Sequence, residues 1–297
     1  MERRLLFWWL LVAYAGGSLS PLTLLAHASS SIFILAGQSN MSGRGGVVND
    51  TWDGNVPPES GPNPSVLRLS AALTWVAAAE PLHKDIDVHR ICGVGPGMAF
   101  ANAVLAQESR FGRVGLVPCA VGGTTISEWG RGGFLYNETV SRAAAAVQGG
   151  GTIRAVLWYQ GESDTSHHED AKLYKKRLET FFVDLRSDLQ SPMLPIIQVA
   201  LASGSGQYVE TVRKAQLETR LPNVRCVDAK GLGLEPDDLH LTTPAQVQLG
   251  RMLAEEFLGG PADASKPDAS PVQSNAPKQP RSLLKYCSFA ILIICII

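Results

Sequence analysis

Two polar segments near opposite ends of the chain contain side chains that together support nucleophilic attack on a carbonyl group. The first is GQSNMSGRG at residues 37–45, in which Ser39 follows an apolar run. A serine placed directly after a buried strand exposes its hydroxyl at the edge of a sheet, where backbone N–H groups can face a developing oxyanion. By itself, this segment is also typical of a tight turn capped by Asn or Ser.

The second segment, EPDDLHLT at residues 235–242, offers a base for that serine. His240 can accept the proton of the Ser39 hydroxyl, and Asp237, three residues earlier, can curl back to the other imidazole nitrogen. Such a carboxylate selects one tautomer and stabilises the imidazolium that forms during attack. The sequence therefore predicts Ser39, His240 and Asp237 as a catalytic set for acyl transfer.

Two further polar segments offer hydrogen-bond donors for an oxyanion. AVGGTTISEW at residues 120–129 contains Gly122 and Gly123, which let the backbone approach a ligand and direct an N–H group towards it. WYQGESD at residues 158–164 contains Gln160, whose side-chain amide is a neutral donor. The alternative for either segment is a loop that requires unusual backbone angles.

The other histidines do not form a metal-binding pattern. His27 lies in the apolar N-terminal segment, His83 and His89 are isolated, and His167 and His168 open a charged helix. Adjacent side chains point apart, so the last pair is typical of a solvated helix start. The sequence has no HExxH motif, phosphate-binding loop or dinucleotide fingerprint, and we predict neither a metal ion nor a cofactor.

The elements that must position these segments are strands and helices in alternation. Apolar runs predict strands at residues 31–36, 114–119, 153–158, 194–199 and 224–228. Helical spacing predicts helices at residues 98–107, 171–189, 207–219 and 244–258. This order favours a parallel sheet with helices on both faces, which binds ligands beyond the carboxyl ends of its strands. The polar segments follow those ends.

Composition excludes several other classes of protein. Hydrophobic residues make up 45% of the chain and charged residues 18%, which argues against general disorder. A net charge of −1 gives no electrostatic reason to expect nucleic acid as a partner. Five cysteines without a C-x-x-C pair exclude a disulfide scaffold. We expect Cys92, Cys119 and Cys226 to be buried free thiols, with one disulfide as the alternative.

Both ends of the chain differ from its middle. Residues 1–28 have a basic start, an apolar run and an A-x-A cleavage pattern, which predicts a signal peptide; a retained signal anchor is the alternative. Residues 259–281 form a linker rich in Pro, Ser and Ala. Residues 282–297 form a hydrophobic tail that follows small residues at 274–276, as in a GPI-anchor signal. A short tail anchor or a wrongly assigned last exon is the alternative. The expected location is extracellular or in the cell wall.

Three N-glycosylation sequons lie in the middle section, residues 29–258, which has the size of one domain. They begin at Asn40, Asn49 and Asn137. Because the first is inside the Ser39 motif, we expect it to be enclosed, and in a secreted chain the other two could carry sugar.

Taken in order, the GQSNMSGRG, VGGTT, WYQGESD and Asp-x-x-His motifs resemble those of the SGNH/GDSL hydrolases. The resemblance covers residues 31–258 and is greatest to plant carbohydrate esterases related to sialate O-acetylesterases and acetylxylan esterases. It implies a flavodoxin-like three-layer α/β/α sandwich with a central parallel sheet. It also implies that Ser39 is the nucleophile, His240 the base and Asp237 the acid, with an oxyanion hole formed by Ser39, Gly123 and Gln160.

The chain departs from the family pattern at two positions. Gln160 replaces the Asn of typical members, and Asp238 stands where Gly is common, so either Asp237 or Asp238 could be the acid. Glu162 resembles a carboxylate proposed to assist the histidine in acetylxylan esterases. Arg44 and Trp129 are candidate walls of a sugar site, and packing is the alternative for Trp129.

These expectations describe a cofactor-independent serine esterase that removes acetyl groups from a cell-wall polysaccharide or another sugar. Two alternatives stay open. One is a wall protein that binds carbohydrate without turnover, and the other is an esterase for lipid or small-alcohol esters. The substrate class rests on the resemblance, because a fold and a triad do not determine it.

Overall fold

The structure of the protein is a computed structural model that describes residues 30–259. Its strands are β1 (Ser30–Gly37), β2 (Val47–Val48), β3 (Thr51–Trp52), β4 (Val66–Leu69), β5 (Trp75–Ala77), β6 (Arg113–Pro118), β7 (Thr152–Tyr159), β8 (Ile196–Ala200) and β9 (Val224–Asp228). Its helices are α1 (Ser39–Ser42), α2 (Pro96–Gln107), α3 (Phe134–Val147), α4 (His168–Asp188), α5 (Val209–Leu217) and α6 (Thr243–Gly259). Strands β2 and β3 form a separate hairpin.

The central sheet has seven strands in the order β5-β4-β6-β1-β7-β8-β9. All neighbours are parallel except β4 and β5, which pair antiparallel at one edge. From β1 the chain moves to the β4–β6 side and then crosses to β7 on the other side of β1. The strand order therefore reverses between β1 and β7, and a crevice opens there beyond their carboxyl ends.

Helices cover the sheet because its inner strands are apolar on both faces. In β1, every residue after the first is buried, as expected for a parallel strand between two helical layers. Phe33 of β1 contacts Phe100 of α2 and Phe257 of α6 edge to face. Trp158 of β7 packs on Phe181 of α4 at 4.6 Å between ring centroids. The predicted α/β/α sandwich with a central parallel sheet is confirmed.

The five predicted strands and four predicted helices are present, but three other features were not predicted. The apolar run of β4 is only four residues long and is interrupted by Arg68, whose nearly buried guanidinium binds Asp85. Helix α3 ends in a run of alanines and has no side-chain cap, so its start and periodicity give little signal. The β2–β3 hairpin has two-residue strands, which are too short for a pattern.

Cys92, Cys119 and Cys226 are free thiols, as expected; Cys92 and Cys119 are buried, whereas Cys226 is only partly buried. No helix within residues 30–259 is long and apolar enough to cross a membrane. The predicted signal peptide and hydrophobic tail, and the linker beyond Gly259, lie outside the described residues.

Candidate active site

Ser39 lies at the sharp turn where β1 ends and α1 begins. Gly37 has a φ of +130°, and a Cβ there would lie 2.1 Å from the carbonyl oxygen of Tyr159 in β7. Only glycine fits this close approach. The following residue, Gln38, donates its N–H to the same oxygen at 2.8 Å. The turn therefore places Ser39 over the crevice between β1 and β7.

His240 and Asp237 reach Ser39 from the loop before α6. His240 Nε2 lies 2.9 Å from Ser39 Oγ, and His240 Nδ1 lies 2.6 Å from Asp237 Oδ2. Asp237 Oδ1 also accepts the backbone N–H groups of Leu239 and His240, at 3.0 and 2.9 Å. The structure thus brings together the three residues that the sequence singled out, in the hydrogen-bonded order of a catalytic triad.

Asp237, and not Asp238, contacts the histidine. Partial burial raises the pKa of Asp237, but the N–H groups of His240 and Leu239 and the imidazole outweigh it and hold the pKa below its ordinary value. The carboxylate is therefore charged where it faces His240. Asp238 has a φ of +55°, a conformation that glycine adopts most easily and that aspartate tolerates. A glycine at this position would adopt the same conformation without strain.

The backbone N–H groups of Ser39 and Gly123 donate to no other residue of the described chain. Gly123 has a φ of +77° and lines the same cavity as Ser39. Its neighbour Gly122 is committed elsewhere, because its N–H donates to Asp87 Oδ2 at 3.1 Å. Ser39 and Gly123 thus offer two free donors suited to an oxyanion.

Gln160 does not fit the oxyanion role expected for it. Its side chain is fully buried, and its Nε2 lies within hydrogen-bond distance of three protein acceptors: Asp164 Oδ2 at 2.6 Å, Thr124 O at 2.9 Å and Gln38 Oε1 at 3.2 Å. A primary amide has two N–H groups, so none is left for a ligand. The expectation is wrong because Asp164, buried four residues later, competes for the amide. Gln160 instead links the loop that follows β7 to the loop that follows β6, through its hydrogen bond to Thr124 O.

Gln38 was not among the sequence candidates, although it precedes Ser39 in the motif. Its Oε1 accepts from Gln160 Nε2 at 3.2 Å, Gly161 N at 3.2 Å and Ser163 N at 3.4 Å. Its Nε2 has no partner among residues 30–259, and the residue lines the cavity. The sequence signal for Gln38 is its position directly before Ser39, since a side-chain amide next to the nucleophile can reach the reacting carbonyl.

Glu162 is buried and lies too deep to touch a substrate. Its Oε1 accepts from Asn40 Nδ2 at 2.8 Å. Asn40 in turn holds the backbone on both sides of the histidine, donating to Leu239 O at 3.3 Å and accepting from Leu241 N at 2.9 Å. Burial raises the pKa of Glu162 to about 7, against the opposing hydrogen bond from Asn40. Glu162 therefore acts on His240 only through Asn40, which the sequence candidates did not include.

The two candidate sugar-site walls differ in placement. Arg44 lines the cavity and is held by Asp87 at 2.5 Å and by Ser42 Oγ at 2.7 Å. Trp129 is fully buried, donates to Thr124 Oγ1 at 3.1 Å and packs edge to face on Trp158. The expectation of a wall at Trp129 is therefore wrong, because the short helix at Ile126–Trp129 turns the indole into the core.

The cavity over these groups has a volume of about 410 Å³. It is lined by Gln38, Ser39, Arg44, Val47, Asn49, Asp50, Arg90, Ile91, Gly122, Gly123, Ser163, Ser205, Asp237, Leu239 and His240. Most of these residues have polar side chains. Within the described range, no cluster of three or more His, Cys, Asp or Glu residues could hold a metal ion.

A parallel sheet of this order, with a serine directly after its first strand and a histidine in the loop before its last helix, is the architecture of an SGNH-type hydrolase. A family model described as "carbohydrate esterase, sialic acid-specific acetylesterase" matches residues 29–259. The chain belongs to this carbohydrate esterase family. It is accordingly a carboxylic ester hydrolase.

Relatives agree with this assignment. The chain is 57% identical to the probable carbohydrate esterase At4g34215 of Arabidopsis thaliana over 234 residues. The aligned region covers 76% of this chain and 90% of that protein. The X-ray structure of that protein superposes with a TM-score of 0.76 at 56% identity, over 78% of this chain and 99% of the other. The crystal structure of NanS shares the fold, with a TM-score of 0.62 at 16% identity over 78% and 97% of the two chains.

Proposed function

We propose that this protein is a serine esterase that removes acetyl groups from carbohydrates through an acyl-enzyme. The observation that carries the proposal is the continuous hydrogen-bonded line from Asp237 through His240 to Ser39, at 2.6 and 2.9 Å, beside two uncommitted N–H groups. These are the parts that acyl transfer requires: a nucleophile, a base held in one tautomer and donors for an oxyanion.

The mechanism follows from the geometry. Ser39 Oγ attacks the ester carbonyl while His240 Nε2 takes the hydroxyl proton, and Asp237 stabilises the imidazolium. His240 then protonates the leaving sugar hydroxyl, which departs as the acyl-enzyme forms. In the second half, His240 takes a proton from water, the hydroxide attacks the acetyl-Ser39 ester, and acetate is released with Ser39 restored.

The oxyanion would be met by three donors in this proposal. Two are the N–H groups of Ser39 and Gly123, and the third is Nε2 of Gln38 in place of the Gln160 amide. The support for Gln38 is its free Nε2 and its place in the cavity wall. Neutral donors oriented before the reaction stabilise the developing charge without having to reorganise.

Carbohydrate is favoured over a lipid as the alcohol part of the ester. Ten of the fifteen residues that line the cavity have polar side chains, and three, Val47, Ile91 and Leu239, have apolar ones. The buried Arg44–Asp87 pair gives one wall a fixed arrangement of hydrogen-bonding groups, as suits a polyhydroxylated ligand. The relative from Arabidopsis is named a probable carbohydrate esterase, which adds support.

The place of action is also a proposal. The features of residues 1–28 favour secretion, and those of the C-terminal tail favour attachment to a membrane by a GPI anchor. A secreted esterase of this kind would meet acetylated polysaccharides in the cell wall. A binding protein without turnover is the alternative, and the intact set of Ser39, Asp237 and His240 argues against it.

The test is hydrolysis of a chromogenic acetate ester by the full chain and its Ser39→Ala variant. We expect the variant to lose several orders of magnitude in kcat, because the nucleophile is gone. Asp237→Asn and Asp238→Asn form a matched pair. Asp237→Asn should lower kcat by about 10⁴-fold, which is the effect of losing the carboxylate that fixes the histidine tautomer in such triads. Asp238→Asn should leave it unchanged.

The result that would contradict the proposal is turnover that survives Ser39→Ala, or no turnover by folded wild-type chain on acetate esters and acetylated sugars. A normal kcat for Asp237→Asn combined with a loss for Asp238→Asn would reverse the assignment of the acid. Circular dichroism of each variant controls for folding.

A further inference from the structure

The three N-glycosylation sequons have different surroundings in the folded chain. Asn40 is fully buried, and its side-chain amide is committed to Glu162, Leu239 and Leu241. A glycan on Asn40 would break the contacts that hold the loop of His240. This sequon is therefore closed to modification, as the sequence suggested.

The sequon at Asn137 is also unfavourable, although the sequence alone left it open. Asn137 is exposed, but it lies in the first turn of α3 and donates its Nδ2 to Gly132 O at 3.1 Å. The hydroxyl of its sequon partner, Thr139, is fully buried and donates to Leu135 O at 2.8 Å. Helix formation thus commits both polar side chains of this sequon.

Asn49 has none of these restrictions. It is exposed at the tip of the β2–β3 hairpin, and its side-chain amide contacts no other residue within 30–259. Asn49 and Asp50 have φ values of 49° and 53°, as in a two-residue type I′ turn, which favours asparagine. The sequon partner Thr51 is exposed as well, with its Oγ1 3.4 Å from Asn49 O. Both groups that define the sequon are accessible on one turn.

The position of this turn gives the modification a consequence. Asn49 and Asp50 line the same cavity as Ser39, Gly123 and Ser163. We propose that Asn49 carries an N-linked glycan, and that this glycan stands at the mouth of the active-site cavity. The attachment is a substitution on a lipid-diphosphate-linked oligosaccharide. A bond forms between Asn49 Nδ2 and the anomeric carbon, the bond to the diphosphate breaks, and one amide proton leaves.

A glycan here restricts which esters reach Ser39. N-linked glycans are bulky and hydrated, so a long polymer chain has to share the mouth of the cavity with it, whereas a small ester passes. This consequence rests on the proposed esterase function, and glycan attachment itself rests on the proposed secretion. We therefore expect the glycan to bias the enzyme towards small acetylated sugars and chain ends over internal acetyl groups of a polymer.

The experiment uses full chain produced through the secretory pathway of a eukaryotic host. Three proteins are compared: wild type, Thr51→Ala, which removes the sequon, and Thr51→Ser, which keeps it. Thr51 is outside the lining of the Ser39 cavity, so both substitutions leave the site intact. Mass spectrometry of the peptides containing Asn49 and Asn137 measures occupancy. Kinetics with a small chromogenic acetate and with acetylated xylan measure access.

We expect glycan on Asn49 in wild type and in Thr51→Ser, and none in Thr51→Ala. Thr51→Ala should have several-fold higher kcat/KM on acetylated xylan, with equal kcat/KM on the small acetate. Wild-type chain without glycan on Asn49 overturns the proposal, whether or not Asn137 is occupied. Equal kinetics on xylan for all three proteins overturn the screening role. Absence of turnover on any ester contradicts the proposed function instead, and occupancy is still measured.

Discussion

At the scale of single residues, the side-chain amide of Gln38 has one orientation that satisfies its neighbours. Three N–H donors, from Gln160, Gly161 and Ser163, converge on one of its two terminal atoms. That atom must be the oxygen, because a buried N–H left facing another N–H costs about 1–3 kcal/mol. The nitrogen is thereby left without an acceptor in the described part of the chain, on a residue that lines the same cavity as Ser39.

The variant Gln38→Glu separates this role from packing. Glutamate keeps an oxygen for the three donors and has nearly the same shape, but it replaces the free N–H donor with a carboxylate oxygen. We expect kcat on a small acetate to fall by about 10²- to 10³-fold, as for the loss of an oxyanion donor. KM should change little, because the oxyanion exists only in the transition state.

Steady-state kinetics and thermal unfolding of the same preparation check this expectation. A variant that melts like wild type and keeps its kcat would show that Gln38 is not a donor to the oxyanion. A rise in KM at constant kcat would place its amide on the bound substrate instead.

At the scale of elements, a buried hydrogen-bonded brace joins three segments that meet at the site. Glu162, from the loop after β7, holds Asn40 of α1, and Asn40 holds Leu239 and Leu241 in the loop before α6. Because these residues flank His240, the brace fixes the imidazole relative to Ser39 without contacting a substrate. Its members are positioning residues.

The brace predicts a pH dependence of stability. Burial raises the pKa of Glu162 from 4.5 to about 7, so the folded chain binds this proton more tightly than the unfolded chain. This stabilisation is complete below pH 4.5 and is lost as the pH rises through 7, at a slope of at most about 1.4 kcal/mol per pH unit. Glu162→Gln stays neutral and should therefore flatten the unfolding free energy across that window.

Urea unfolding at a series of pH values, for wild type and Glu162→Gln, measures this difference. Asp164 contributes a slope of its own in both proteins, because burial raises its pKa to about 6. Parallel pH profiles for the two proteins would contradict the assigned ionisation of Glu162.

At the scale of the whole molecule, the crevice between β1 and β7 gathers residues from every part of the described chain. Ser39 follows the first strand, Gly123 follows β6, and His240 lies just before the last helix. Each stands at the carboxyl end of the sheet because parallel strands direct all such ends to one edge. Val47 of β2, the turn residues Asn49 and Asp50, and Arg90 also line this cavity.

The proposed secretion can be tested at the N-terminus of the protein. If residues 1–28 are a cleaved signal peptide, protein recovered from the medium of expressing cells should begin at Ser29. N-terminal sequencing or intact mass measures this directly. Protein that is retained in the cells and begins at Met1 would contradict the proposed secretion, and with it the glycan on Asn49.

The sequence alone predicted five strands of the central sheet, four helices and the polar segments that follow the strands. Continuous apolar runs require burial on both faces, so a parallel sheet with helices on either side follows from their pattern. Ser39 could be identified because the apolar run before it ends at Gly37, only two residues earlier. Asp237 and His240 could be paired because three residues are enough for a local turn.

Only the tertiary structure decided which way the buried polar side chains face. The sequence favoured Gln160 as an oxyanion donor and Trp129 as a wall of the sugar site. The amide of Gln160 instead donates to Asp164 and Thr124, and the indole of Trp129 is buried in the core. Gln38 and Asn40 acquire their roles from partners more than a hundred residues away. Buried polar atoms are paired with partners that are distant in the sequence, and the local sequence pattern does not identify those partners.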